Sequence, residues 1–247
     1  MKFIPNLMAK ELRSYFYSPV AYVVIAGSLF INGWTFWIMA NALNTPTAQV
    51  TGSIMQVFFG GTFFFWFQMI LFAPVITMRL FSEEAKTGTL EVLMTSPVTD
   101  FEVVVGKFLA AWTFYIVMWI PTFLYIVILK KHAAIDMGPV FTGYMGTFLV
   151  GGFFLSIGLL MSSLTKNQIT AAVMGFVVSI GIFSVAFLAF FMNGAIARDV
   201  IAYVSLLEHF EDFGKGLIDT RAIIFYGTMI TLNLFLTIRV VEARKWK

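Results

Sequence analysis

Charge is absent from one long stretch of this chain: between Ser14 and Met78 there is no Asp, Glu, Lys or Arg, a run of 65 residues. A buried helix of a soluble domain is far shorter than that, and the run is long enough to cross a bilayer twice. Windows of about 20 apolar residues fall at Pro19–Ala40, Ile54–Met78, Phe108–Leu129, Val140–Leu164, Ile169–Met192 and Ala222–Ile238. None carries an ionised side chain. A bilayer core leaves no partner for unpaired backbone, and the runs lack the alternation of a barrel strand, so each is expected to be a helix. Pro74 places a bend in the second. The fourth and fifth are joined only by Thr165-Lys166-Asn167-Gln168, a tight hairpin. The pattern predicts an all-α polytopic membrane protein of six spans, with residues 1–247 forming one domain.

Three segments outside the spans have patterns of their own. Along Phe3–Tyr17, Ile4, Leu7, Met8, Leu12, Tyr15 and Phe16 share one helical face, and Asn6, Lys10, Arg13 and Ser14 share the other. Residues 1–18 therefore read as an interfacial helix in the headgroup plane, with Pro5 in its first turn, or as a helix packed on a partner. Arg79–Lys107 is a long loop. In it Ser82 is placed to cap a helix opened by Glu83 and Glu84, Gly88 interrupts that helix, and Pro97 ends the segment. Thr99-Asp100-Phe101-Glu102 has the form of a capping box leading into span three. Leu90, Val92, Leu93 and Met94 are apolar although outside the spans, which suggests docking to another protein. Asn193–Arg221 mixes apolar and acidic residues, and its run Val200–Phe213 fits a half-inserted helix.

Composition supports this picture. Hydrophobic residues make up 60% of the chain and charged residues 12%, with a mean hydropathy of +0.88, against roughly half and a quarter in soluble domains. A soluble enzyme, a disordered chain and a nucleic-acid-binding protein are excluded. The net charge of +3 reflects Lys and Arg at helix ends. Of the 16 Lys and Arg, 11 fall in the connecting segments that share a side with both termini and 5 in the others, so the termini are expected in the cytoplasm. The apolar run before Ala40-Asn41-Ala42 is too long for the core of a cleaved signal peptide.

The missing chemistry narrows the function further. With no cysteine, disulfides, thiolate metal sites and cysteine nucleophiles are excluded. Neither Gly106-Lys107 nor Gly214-Lys215 completes a phosphate-binding loop, so no nucleotide cofactor is expected in this chain. His132 and His209 lie in outer segments, and no metal site is expected. The spans offer only Asn32, Gln56, Gln68, Asn233 and hydroxyls, whereas ion-coupled carriers use an ionisable group inside a span. An ion-coupled carrier is disfavoured.

The loop MRLFSEEAKTGTLEVLMTSPVTDFEVVVGK resembles the corresponding loop of type-2 ABC exporter permeases. The pattern Glu-x-x-x-Gly-Thr-Leu-Glu-x-Leu is matched by Glu84, Gly88, Thr89, Leu90, Glu91 and Leu93, and the match continues through Thr95-Ser96-Pro97-Val98 to Gly106-Lys107. Lys10-Glu11-Leu12-Arg13 with Ser18-Pro19 and Tyr22 is similar to the family's interfacial helix. Phe213, Lys215-Gly216 and Ile218-Asp219 are similar to the gliding-motility and nitrous-oxide-reductase-maturation permeases. The resemblance implies a bacterial inner-membrane subunit that pairs with a second permease, as homodimer or heterodimer, and recruits separate ABC ATPase subunits holding ATP and magnesium. It implies that Glu83, Glu84, Gly88, Thr89, Leu90, Glu91 and Leu93 form a coupling helix between spans two and three, and that Asn193–Arg221 holds re-entrant outer helices. Under that reading, removing Glu84 or Glu91 leaves folding intact and costs the ATPase contact. An ATP-independent membrane scaffold is the alternative function. On span five, Ala171, Gly175 and Ser179 recur at i, i+4 and i+8 and let another helix approach closely, either within the subunit or at a dimer face.

The topology has a direct test, because the chain lacks cysteine. An impermeant maleimide should label Thr47→Cys from the outer side only; labelling from the cytoplasmic side alone would invert the assignment.

Overall fold

A computed structural model describes residues 3–43, 58–59, 62–89, 98–132, 136–191 and 205–244. Among them there is no strand. The helices are α1 (Ile4–Tyr17), α2 (Pro19–Leu43), α3 (Phe63–Thr77), α4 (Arg79–Thr87), α5 (Asp100–Trp119), α6 (Phe123–His132), α7 (Met137–Leu164), α8 (Gln168–Phe191), α9 (Leu206–Gly214) and α10 (Thr220–Arg244), with a 3-10 turn at Ile120–Thr122. Among the described residues, six segments are long and apolar enough to cross a membrane: Pro19–Asn41, Phe63–Thr87, Asp100–Lys131, Met137–Leu164, Gln168–Val185 and Thr220–Arg244.

The spans match the apolar windows in number and order, and they differ at their ends. The described part of span two begins at Phe63, after Thr62 in an extended conformation; residues 54–57 of the expected window lie outside the described residues. Span three runs back to Asp100, where Thr99 and Glu102 form the expected capping box, so Glu102 and Lys107 lie inside the helix as buried residues. Its helix tightens into the 3-10 turn at Pro121, whose missing N–H and ring clash interrupt the α ladder. Span six continues past Ile238 to Arg244. The α7–α8 hairpin is closed locally: Asn167 Oδ1 accepts from the Ile169 N–H at 2.9 Å and Thr165 Oγ1 from the Asn167 N–H at 3.1 Å.

Span four is the hub. Its most apolar stretch is 78% buried, against 17% for span five and 11% for span six. Glycines let the neighbours approach: a Cβ on Gly151 would stand 2.2 Å from the Tyr115 ring, and one on Gly158 2.1 Å from Thr77 Oγ1. Several polar groups inside the bundle are paired across helices, which suits a bilayer. Asn32 and Gln68 exchange amide hydrogen bonds at 3.1 and 3.2 Å between spans one and two, and Asn233 Nδ2 donates to Ser156 Oγ at 3.0 Å between spans six and four.

Between spans five and six, the described residues from 205 onward include the helix α9. Its apolar face, Leu206, Phe210 and Phe213, is buried; Phe210 packs on Phe65 and Trp66. Tyr226 donates to the Leu206 carbonyl at 3.1 Å and Thr142 to that of Phe213 at 2.6 Å. Val200–Val204 of the expected half-inserted helix lie outside the described residues. His209 stacks on Phe225 at 4.7 Å. Gly216 has a φ of +88° and turns the chain out of α9, with Pro139 where its Cβ would be; this accounts for glycine in Lys215-Gly216.

Gly151→Ala should overpack against the Tyr115 ring, itself held by hydroxyl bonds to the Thr147 carbonyl and Met69 Sδ, and lower stability by about 1–3 kcal/mol. Gly227→Ala, with nothing within 4 Å, should be neutral or slightly stabilising. Thermal unfolding of both variants in detergent makes the comparison.

Candidate functional site: a charged clamp at the base of the loop

At the junction of α3 and α4 the span-two helix does not stop; it turns at Met78 and continues as Arg79–Thr87. Ser82 is therefore not an N-cap. It lies in the second turn, fully buried, with its hydroxyl bonded to the Met78 carbonyl. The backbone groups loosened by the turn are recovered from other helices. Ser162 Oγ of span four donates to the Met78 carbonyl at 2.8 Å and accepts from the N–H groups of Phe81 and Ser82 at 3.1 and 3.2 Å, which uses its one donor and both lone pairs. The Tyr15 hydroxyl of α1 donates to the Ile76 carbonyl at 2.7 Å. Burial pushes the Tyr15 pKa far up, with Arg79 pulling the other way, so the hydroxyl stays a donor.

The apolar face of α1 is used in the same place. Leu7 sits where a Cβ of Gly106 would be, at 2.9 Å. Tyr15 stacks on Phe114 at 4.8 Å, and Phe16 meets the same ring edge-on. Span three of the same chain thus packs against that face, of which Tyr15 is buried and Ile4, Leu7, Met8, Leu12 and Phe16 stay partly exposed.

At the centre is Lys107, whose side chain is fully buried. Its ammonium lies 2.8 Å from Glu11 Oε1 of α1 and 2.8 Å from Glu84 Oε1 of α4, with Nζ 5.3 Å from the centre of the Phe81 ring. The carboxylates are only 12% and 16% exposed, so the three charges have left water together, an arrangement that persists only when paired. Glu84 thus faces inward, toward Lys107, and not only toward a partner. Removing it would break the tie between α4 and span three while leaving Lys107 balanced by Glu11.

The other loop residues separate. Glu83, Gly88 and Thr89 are exposed. Gly88 ends α4 with a φ of +75° and open space around it, so its requirement is conformational and not steric. The Thr89 hydroxyl lies 2.9 Å from that of Thr87. Leu90, Glu91 and Leu93 fall outside the described residues. On span five, Ala171 and Ser179 are buried, and a Cβ on Gly175 would meet Pro74 at 3.1 Å and the Gly158 Cα at 3.7 Å. The small-residue stripe packs on spans two and four of its own chain. The face of span five that remains exposed carries Ile169, Val173, Val177 and Ile180.

Sequence reasoning missed Lys107, Glu11 and Ser162 as members of one site. A signal was present: Leu7, Glu11 and Tyr15 are spaced by four, which puts a carboxylate in the middle of an apolar stripe.

A family model described as ABC-2 family transporter protein matches residues 8–232 of the chain. No curated protein matches.

Lys107→Met should cost roughly 3–5 kcal/mol of stability by leaving two buried carboxylates without a cation. Adding Glu11→Gln and Glu84→Gln should recover much of that loss. Equilibrium unfolding in detergent across this cycle gives the coupling; additive effects would mean that the three charges act independently.

Proposed function

This chain belongs to the ABC-2 transporter family and is a multi-pass membrane permease component of an ABC transporter; from that premise we propose that it forms the translocation pathway of an exporter driven by separate ATPase subunits. The observation that carries the coupling part is the clamp. Because α4 is tied to α1 and span three through Lys107 and to span four through Ser162, a force applied to the loop reaches three spans and α1 without first bending a flexible joint. Closure of an ATPase dimer on ATP would push the segment from Glu83 through Leu93 and tilt those helices together.

In this reading the loop divides its labour. Glu84 holds the element in place, whereas Glu83, Gly88 and Thr89, with Leu90, Glu91 and Leu93 beyond them, meet the ATPase. Both termini and the loop are cytoplasmic, in a bacterial inner membrane. Pairing with a second permease falls on outward apolar faces, such as Val23, Phe30 and Trp34 of span one and Val173 and Val177 of span five, since the small-residue stripe is occupied. An ATP-independent scaffold of the same fold is the competing reading.

Glu83→Ala and Glu91→Ala should insert and unfold like the parent chain yet lose stimulation of the partner ATPase. Loss of one hydrogen-bonded carboxylate at such a dock costs about 2–5 kcal/mol. Co-purification with the ATPase and ATP turnover in nanodiscs are the measurements. Wild-type values for both variants would favour the scaffold.

A further inference from the structure

The polar face of α1 does not look onto open solvent alone. With the start of α4 it walls a groove of about 820 Å³ whose lining includes Lys10, Arg13, Tyr17, Ser18, Arg79 and Glu83. Three cations face one carboxylate. Among the described residues none of the three forms an ion pair; Arg79 lies over the Tyr15 ring, 4.5 Å from its centre. Charges this close repel one another, and unpaired neighbours on one groove amount to a standing demand for an anion.

The height of the groove identifies the source of that anion. Tyr17 and Ser18 precede Pro19, where span one begins, and Arg79 follows Thr77, where the apolar part of span two ends. The groove therefore lies where two spans enter the bilayer, at the level of lipid headgroups, and not at the far tip of the loop. At Ser18 α1 ends and the 25-residue α2 begins, so the helix dipoles oppose one another there and the side-chain cations set the charge of the groove. Tyr17, 87% exposed, offers a hydroxyl and a ring suited to the membrane boundary.

We propose that this groove is a binding site for the phosphate headgroup of an anionic phospholipid, held by Lys10, Arg13 and Arg79. Arg79 belongs at once to the groove and to the α3–α4 junction, so an occupied site would rest against the clamp. The assignment needs only that spans one and two cross the bilayer, and it does not depend on the ATPase.

The test uses the full chain in neutral detergent, with native mass spectrometry reading retained lipid during titration with phosphatidylglycerol or phosphatidylcholine. The parent chain should retain phosphatidylglycerol saturably and in preference to phosphatidylcholine. Lys10→Gln with Arg13→Gln, both exposed and away from the core, should weaken that binding by about fivefold for each cation removed. Lys215→Gln, at the distant end of α9, should leave it unchanged. Unchanged phosphatidylglycerol affinity in the double variant would overturn the proposal. Displacement of the lipid by inorganic phosphate at equal concentration would also overturn it, in favour of a free-anion site. Because no ATPase is present in the titration, a negative result there leaves the permease reading standing.

Discussion

A single buried ammonium organises the loop side of this protein. Lys107 has no contact with water and two carboxylates within 2.8 Å, one from the first helix of the chain and one from the segment after span two. Taking such charges out of water is costly, and each carboxylate recovers that cost only while it stays against the ammonium. That makes the arrangement unforgiving of displacement. If α4 moves, Glu84 goes with it, and Lys107 must follow or Glu84 loses its cation. The hydroxyl of Ser162, with every hydrogen-bonding position used, extends the same constraint to span four.

Around that clamp the bundle is asymmetric. Span four is enclosed because its glycines allow Tyr115, Thr77 and Phe213 to come within van der Waals distance of its backbone. Spans five and six keep most of their apolar surface facing outward, toward lipid or another subunit. The hydrogen bonds and ion pairs at the base of the loop run to α1 and to spans three and four, and span five also packs on the loop helix.

The loop motif combines two different requirements in adjacent residues. Glu84 answers to Lys107, inside the chain. Gly88 answers to its own backbone, since a φ of +75° in open space strains any residue with a Cβ. Glu83, one position earlier than Glu84, points outward. Helical geometry separates Glu83 from Glu84 by roughly 100°, so one of two neighbouring carboxylates is exposed and the other turns toward Lys107.

The sequence by itself determined the class, the number and order of spans, the capping box at Thr99–Glu102, the hairpin at Thr165–Gln168 and the polar face of α1. Each of these depends on local pattern: hydrophobic length, a side chain three residues from its partner, a helical period. Tertiary structure decided which way each face turns. Ser82 became an interior residue because the span-two helix ran on through Met78, and the stripe Ala171, Gly175 and Ser179 went to spans two and four because Pro74 and Gly158 supplied a matching surface. Glu11, Glu84 and Lys107 lie up to 96 residues apart in sequence, and no local period relates them. Their meeting is a consequence of how α1, span two and span three pack, and the energy of a buried charge depends on that packing and not on the residue's own neighbours.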